Sequence, residues 1–399
     1  MLPRVLAAFL GVLATMVTVA PTHAATPRTH LARWSDDAQF NTGTRNHVAA
    51  SGGTLRLAGA LPTTTWDDPY SSGGSVAYEY GQWTSPWVTP GFGMNTLIPS
   101  WSAMTPNGTW ISIQLRVRRG SATGSWDTLA TWAFDTSTIR RSSSTSQTDD
   151  LAGVDVDTLR SRGGAFDGWQ LRATLLRKKG STATPALKSV TGVAASYSTK
   201  TLSATSTTTM TSTKVLAVPA YSQMIHRGEF PSYGGGGAAW CSPTTVVMLL
   251  RYRGSGPTSA EYAFADEYDD PWVDHAAVYS YDHRYGGTGN WSFSTAYAGR
   301  WLNAYVTRVG SLRDAEGLIK AGVPVGAAIK FGYGQLTGAP LSSSAGHLVA
   351  VVGFTSAGNV VVNDPAASSN STVRRTYRRG EFERAWLGGS GGIAYVVRP

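Results

Sequence analysis

The stretch Trp240-Cys241-Ser242-Pro243-Thr244-Thr245-Val246-Val247-Met248-Leu249-Leu250 decides how the second half of this chain is read. Pro243 suits the first turn of a helix, where its missing N–H has no partner to lose. Val246, Leu249 and Leu250 then form an apolar stripe at helical spacing. The pattern predicts a helix that begins at or just after Cys241. The unpaired N–H groups and the dipole at such a terminus favour an anion, so a thiol placed there ionises more readily than a free one. The thiolate is the nucleophilic form, which makes Cys241 the candidate nucleophile. It is the only cysteine among 399 residues, so no intramolecular disulfide can form. The competing reading is a small buried hydrophobe.

A nucleophilic thiol needs a base. Of the seven histidines, His226, His275, His283 and His347 lie in the same half of the chain. His347 opens the apolar run Leu348-Val-Ala-Val-Val-Gly-Phe354, which reads as a strand, and Asn359-Val-Val-Val-Asn363 reads as its return, stopped by Asp364-Pro365. With a four-residue turn at 355–358, Phe354 opposes Asn359 and Val349 opposes Asp364. His347 then shares a sheet face with Asp364, within diagonal reach. An odd loop or a bulge would break that parity. The carboxylate would hold the imidazole in one tautomer and support its charged form. Cys241, His347 and Asp364 are the expected triad.

Working outward, helix signals recur at 258–267, 293–303 and 312–321, and strand signals at 323–331, 347–354 and 359–363. Residues 215–399 therefore read as an α+β domain. Residues 26–195 read as strands and turns. In Ile111-Ser-Ile-Gln-Leu-Arg-Val-Arg118 the apolar residues alternate with polar ones, and Trp169-Gln-Leu-Arg-Ala-Thr-Leu175 repeats the pattern. An antiparallel all-β sandwich of the jelly-roll kind is expected there. Nine of the fourteen tryptophans fall in this part. They are expected mainly in the core, with contact to cell-wall glycans through exposed rings as the open alternative. Between the two, 196–214 is a Ser/Thr-rich linker.

Residues 1–24 carry Arg4, an apolar core and a small-residue exit at Ala24, the pattern of a secretory signal peptide. A secreted protein is expected, and no later segment reaches the 18 apolar residues of a membrane span. The net charge of +9 comes without any nucleic-acid-binding module, so no nucleic-acid partner is expected. Arg374, Arg375, Arg378 and Arg379 read as an exposed strand or loop. Asp269, Asp270, Asp274, His275, Asp282 and His283 match no zinc spacing and are expected to line or cap a cleft. Asn290-Trp-Ser292 matches a glycosylation acceptor, a motif frequent by chance.

Val218-Pro-Ala-Tyr-Ser-Gln223, Cys241 opening a helix, Gly346-His347 on a strand, and Asn363-Asp364-Pro365 together resemble the double-glycine-type bacteriocin-processing cysteine peptidases, peptidase family C thirty-nine, in their secreted branch. The resemblance covers about residues 215–399. It implies a papain-like fold, a peptide or protein substrate, a thioester acyl-enzyme, and an oxyanion hole built from the Gln223 side chain and the Cys241 N–H. It requires no metal and no cofactor. Two features depart from the family. Ser242 stands where Gly commonly follows the nucleophile, and the chain has no transporter segment, so cleavage of double-glycine leaders is not implied. A wall-directed amidase or acyl transferase on the same triad, and a non-enzymatic surface-binding protein, are the competing functions.

Overall fold

A computed structural model describes residues 28–144, 147–148, 150–197 and 204–399. The expected leader and residues 198–203 of the expected linker lie outside them. Two antiparallel sheets build residues 28–196. One runs in the order Ala152–Asp155, Thr158–Ser161, Thr96–Met104, Ala186–Ser196, Thr54–Leu57, Val48–Ser51, and Arg28–Trp34 also pairs with Ala186–Ser196. The other runs Ser142–Ser143, Asp127–Trp132, Thr109–Arg119, Gly168–Lys178, Ser75–Thr84, Thr44–Asn46. This region is β-rich, as its alternation predicts.

Along Thr109–Arg119, Ile111, Ile113, Leu115 and Val117 are buried, and the alternate residues turn to the opposite face. Large rings fill the interior. Trp83 meets Trp34 and Phe40 edge-on, at centroid distances of 5.3 and 5.7 Å, and its Nε1 donates to Phe40 O at 2.8 Å. Gly192 makes room for Trp169, because a Cβ there would fall 2.4 Å from the indole. Six of the nine tryptophans of this region are buried; Trp66, Trp87 and Trp126 are partly exposed.

The rest of the chain is α+β. Its antiparallel sheet runs Asn303–Arg308, Ile393–Arg398, Val325–Phe331, Ser344–Phe354, Val360–Asn363, Arg374–Tyr377. Helices Cys241–Tyr252, Pro271–Ser280, Trp291–Ala298 and Leu312–Lys320 accompany it. The helix expected over 258–267 is a turn at Ser259–Tyr262 followed by a 3-10 turn. That expected over 293–303 starts earlier and stops at Ala298, and Asn303 opens a strand instead. Pro271–Ser280 is a further helix, within the Asp/His-rich stretch expected to line or cap a cleft, and its proline in the first turn is the usual start signal.

The two halves share one hydrophobic cluster. Phe293 packs on Trp101 and Trp132 across the seam, at 6.0 and 5.1 Å, and Ser292 Oγ donates to Pro99 O at 2.7 Å. Polar groups complete it. The buried Arg141 guanidinium donates to Ala133 O, Phe134 O and, across the seam, Val278 O. Asp282 accepts from Ser143 N and Asn290 Nδ2, and Asp157 accepts from Trp291 N at 2.6 Å. Two expectations are thereby corrected. Asp282 and His275 line no cleft: Asp282 is a buried anchor, and His275 is a core residue bonded to Tyr297 Oη and held down to about 3 by burial. Asn290 is also buried, capping its helix through Phe293 N.

Arg379 corrects the exposed-run reading. It is buried against Glu316 at 2.6 Å, and this pair clasps residues 206–209: Arg379 Nε donates to Ser206 O, while Glu316 accepts from Thr208 and Thr209.

Candidate active site

Cys241 is the first residue of its helix, and the following residues Ser242–Leu250 are all buried. A helix buried on every side is a central one, and this one packs against the strand Ser344–Phe354, placing the thiol beside His347. Ser242, the departure from the family pattern, is wired inward: its hydroxyl bonds Ser294 Oγ at 2.7 Å and Tyr395 Oη at 2.8 Å. It fixes the helix start to a neighbouring helix and to the sheet.

His347 Nε2 lies 2.7 Å from Asp364 Oδ1. That leaves Nδ1 to meet Cys241, with which His347 also shares a hydrogen bond. Burial alone would push the Cys241 thiol up; the hydrogen bond and charge of His347, with the Leu348 N–H, outweigh it and hold the thiol below its ordinary value. Burial likewise opposes the imidazolium, but the Asp364 charge and hydrogen bond raise His347 to about 10. Asp364 is buried, and against that burial His347, Tyr377 and the Ala366 N–H keep its carboxyl below the usual range. The charge of each partner thus favours the ionised form of the other.

The hairpin reaches this geometry by a different route from the one the spacing suggests. Phe354 opposes Val360, so the connection spans five residues, not four. A bulge between Val351 and Gly353 then shifts the register by one, and Ala350 opposes Asn363. Each irregularity alone would put His347 and Asp364 on opposite faces; together they cancel.

The Asn363-Asp364-Pro365 motif works residue by residue. Asn363 Nδ2 donates to Pro219 O at 2.9 Å, and its Oδ1 accepts from Arg374 Nε at 2.7 Å. Asp364 holds His347 through Oδ1 and accepts from Tyr377 Oη at 2.6 Å through Oδ2. Pro365 O accepts from Gln223 N at 2.8 Å. Gln223 is therefore tied by its backbone to the turn that carries the carboxylate. Its side chain is buried, with Nε2 donating to Gly237 O at 2.5 Å. Only the amide nitrogen can donate to a carbonyl, so this contact settles which way the amide points.

Sequence reasoning missed Tyr377, the site contact of Arg374 and the Leu348 amide, and it gave Asn363 only as part of a motif, without its contacts. Tyr377 and Arg374 stand at the two ends of a short strand whose arginines drew the reading toward solvent. A cavity of about 800 Å³ borders the strand end before His347 and is lined by Lys330, Phe331, Ser344, Ala345, Glu381 and Arg384 among others. Neither Cys241 nor His347 lines it.

Residues 30–196 match the family model described as Peptidase C39 N-terminal domain, and residues 215–392 match that of the Peptidase C39 like family. No curated protein matches the chain. Among solved structures, it is similar to one described as a C39-like peptidase from Bacillus anthracis, with 17% identity over 47% of this chain and 98% of that one, at a TM-score of 0.29. A structure of infectious bursal disease virus, Gx strain, shares 14% identity over 47% of this chain and 44% of that one, at a TM-score of 0.09. Neither likeness is close enough to carry an argument. No helix among the described residues is long and apolar enough to cross a membrane.

Proposed function

As the chain belongs to the C39-like peptidases, we propose that it is a secreted cysteine peptidase of papain-like fold, with Cys241 as nucleophile, His347 as acid and base, and Asp364 as orienter. The observation that carries this reading is the chain of contacts from Cys241 through His347 to Asp364. The Cys241 thiolate attacks the scissile carbonyl carbon, and the carbonyl π electrons move to oxygen. The Cys241 N–H at the helix start and the second Nε2 hydrogen of Gln223 hold that oxyanion, a stabilisation of about 3–4 kcal/mol per donor. As the C–N bond breaks, imidazolium His347 gives its proton to the leaving amine, and a thioester remains. Neutral His347 then takes a proton from water, whose oxygen displaces the thiolate. A wall amidase would use the same steps, and digestion of peptidoglycan fragments against protein substrates separates the two.

The test is the rate of iodoacetamide labelling of the single thiol against pH. Labelling is expected to stay fast well below the roughly 8.5 of a free thiol, falling only as acid protonates the depressed Cys241. His347→Ala should return the profile to that of a free thiol. A native thiol that already labels as a free one would sink the pairing.

A contact with cell-wall glycans through the N-terminal region has one specific support. Trp66, Tyr80, Gln82, Trp110 and Gln114 line a cavity of about 290 Å³ on the outward face of the second sheet, with Trp66 and Trp110 5.3 Å apart. The partly exposed Trp66 ring, backed by the buried Trp110 and beside amides for hydroxyl groups, suits a sugar. Trp66→Ala should weaken binding to insoluble cell-wall glycan about tenfold and leave peptide hydrolysis intact. Unchanged glycan binding would remove this cavity from the account.

A further inference from the structure

A second group of ionisable side chains lies outside the triad. His226, Glu229 and Asp274 each bring a potential ligand atom to within 4.8 Å of the others. His226 and Asp274 are fully buried, and Glu229 is partly so. His226 Nδ1 sits 2.7 Å from Glu229 Oε2 and 3.4 Å from Asp274 Oδ2. Neither oxygen of Asp274 has a hydrogen-bond partner among the described residues. A buried carboxylate paired only with one imidazole at 3.4 Å is costly, so native structures pair such groups more closely or give them a cation.

The charge balance points the same way. Two carboxylates and one imidazole leave the buried cluster negative unless protons or a cation are added. A divalent ion would neutralise both carboxylates at once and leave the imidazole neutral. One nitrogen and two carboxylate oxygens form a donor set for zinc, whose tetrahedral bonds of about 2.0–2.2 Å set ligand atoms roughly 3.4 Å apart. Calcium would want six or more oxygens. We infer that His226, Glu229 and Asp274 form a binding site for a divalent cation, zinc by preference.

The site's place in the fold gives the ion a task. Residues 226–237 lead from Gln223 to the Cys241 helix, and Asp274 belongs to the helix Pro271–Ser280 packed beside it. The His226 ring lies 5.8 Å from that of Trp240, the residue just before Cys241. Gly237, at the loop's end, supplies the carbonyl that orients the Gln223 amide. A bound cation pins the loop between the two groups at its ends, and does so whether or not the triad is active.

The test uses the full chain carrying Cys241→Ala, which removes the only thiol as a competing ligand. After stripping with EDTA it is titrated calorimetrically with zinc chloride, and separately with manganese and calcium chloride. One zinc per chain is expected, with a rise in Tm that EDTA reverses. Asp274→Asn on the same background should lower zinc affinity by more than the roughly 10–100-fold that outer-sphere partners are worth. Absence of stoichiometric binding of any of the three ions, or affinity unchanged in Asp274→Asn, overturns the site. If that variant does not fold, zinc-edge X-ray absorption on the parent decides. One imidazole with oxygen neighbours is expected, and two or more imidazoles would place the ion elsewhere.

Discussion

Cys241→Ala is expected to lower kcat/KM for peptide hydrolysis by about 10⁴-fold or more, since removing the nucleophile leaves only substrate binding and the oxyanion donors. The same loss is expected in Cys241→Ser. A hydroxyl fills the same space, but its acidity is too weak for His347 to hold it ionised. The serine variant thus separates chemistry from packing. Stability should change little in either, because Cys241 is only partly buried, at the first position of its helix. Hydrolysis of labelled protein and of short fluorogenic peptides, with urea unfolding alongside, checks both statements. Retention of more than a tenth of the activity in Cys241→Ala would move the nucleophile elsewhere.

Asp364→Ala should combine a catalytic and a structural loss. It removes the acceptor of the His347 Nε2 hydrogen bond and strands the buried Tyr377 hydroxyl and Ala366 N–H. Breaking a buried pair on one side costs about 3–5 kcal/mol, and an imidazole without its orienting carboxylate loses roughly 10³–10⁴-fold in kcat. Tyr377→Phe removes one donor to the same carboxylate and should cost only about 1 kcal/mol. The pH dependence distinguishes this pair from generic packing. Asp364 is depressed, so its contribution is present above the ordinary carboxylate value and fades as pH falls through its lower folded value. His347 is raised, so its contribution is complete below the ordinary imidazole value and fades as pH rises toward about 10. Wild-type stability should therefore fall at both ends, and Asp364→Ala should flatten the two slopes. Unfolding free energies of both proteins from pH 3 to pH 10 make the comparison; parallel curves would refute the coupling.

How far the chain could be read without its structure differs from residue to residue, and the difference follows the range of the forces involved. Helix capping, alternation and proline stops act over a few neighbours. They were enough to start a helix at Cys241, to place His347 on a strand, which opens earlier at Ser344, and to end its return before Asp364. The alternation in 109–119 likewise assigned the buried face of a strand in the β-rich half. Register is a different matter. The five-residue connection and the bulge at 351–353 are each invisible in the local pattern, and the expected facing of His347 and Asp364 came out because two shifts cancelled.

Whether a charged or polar group is buried was decided by partners far along the chain. Arg379 looked like one of four exposed arginines; Glu316, 63 residues away, makes it a buried clasp. His275 and Asp282 looked like cleft residues until Tyr297 and the strand end at Ser143 enclosed them. Tyr377 became a partner of Asp364 only when the last hairpin folded beside it, and His226, Glu229 and Asp274 met only through the packing of the helix Pro271–Ser280, whose Asp274 is 45 or more residues from the other two. By itself the sequence determined the elements and the residue types that can do chemistry, because those depend on contacts within one or two turns. The tertiary structure alone decided which groups face one another and which are removed from water, because desolvation and pairing are settled by elements that meet only in the folded chain.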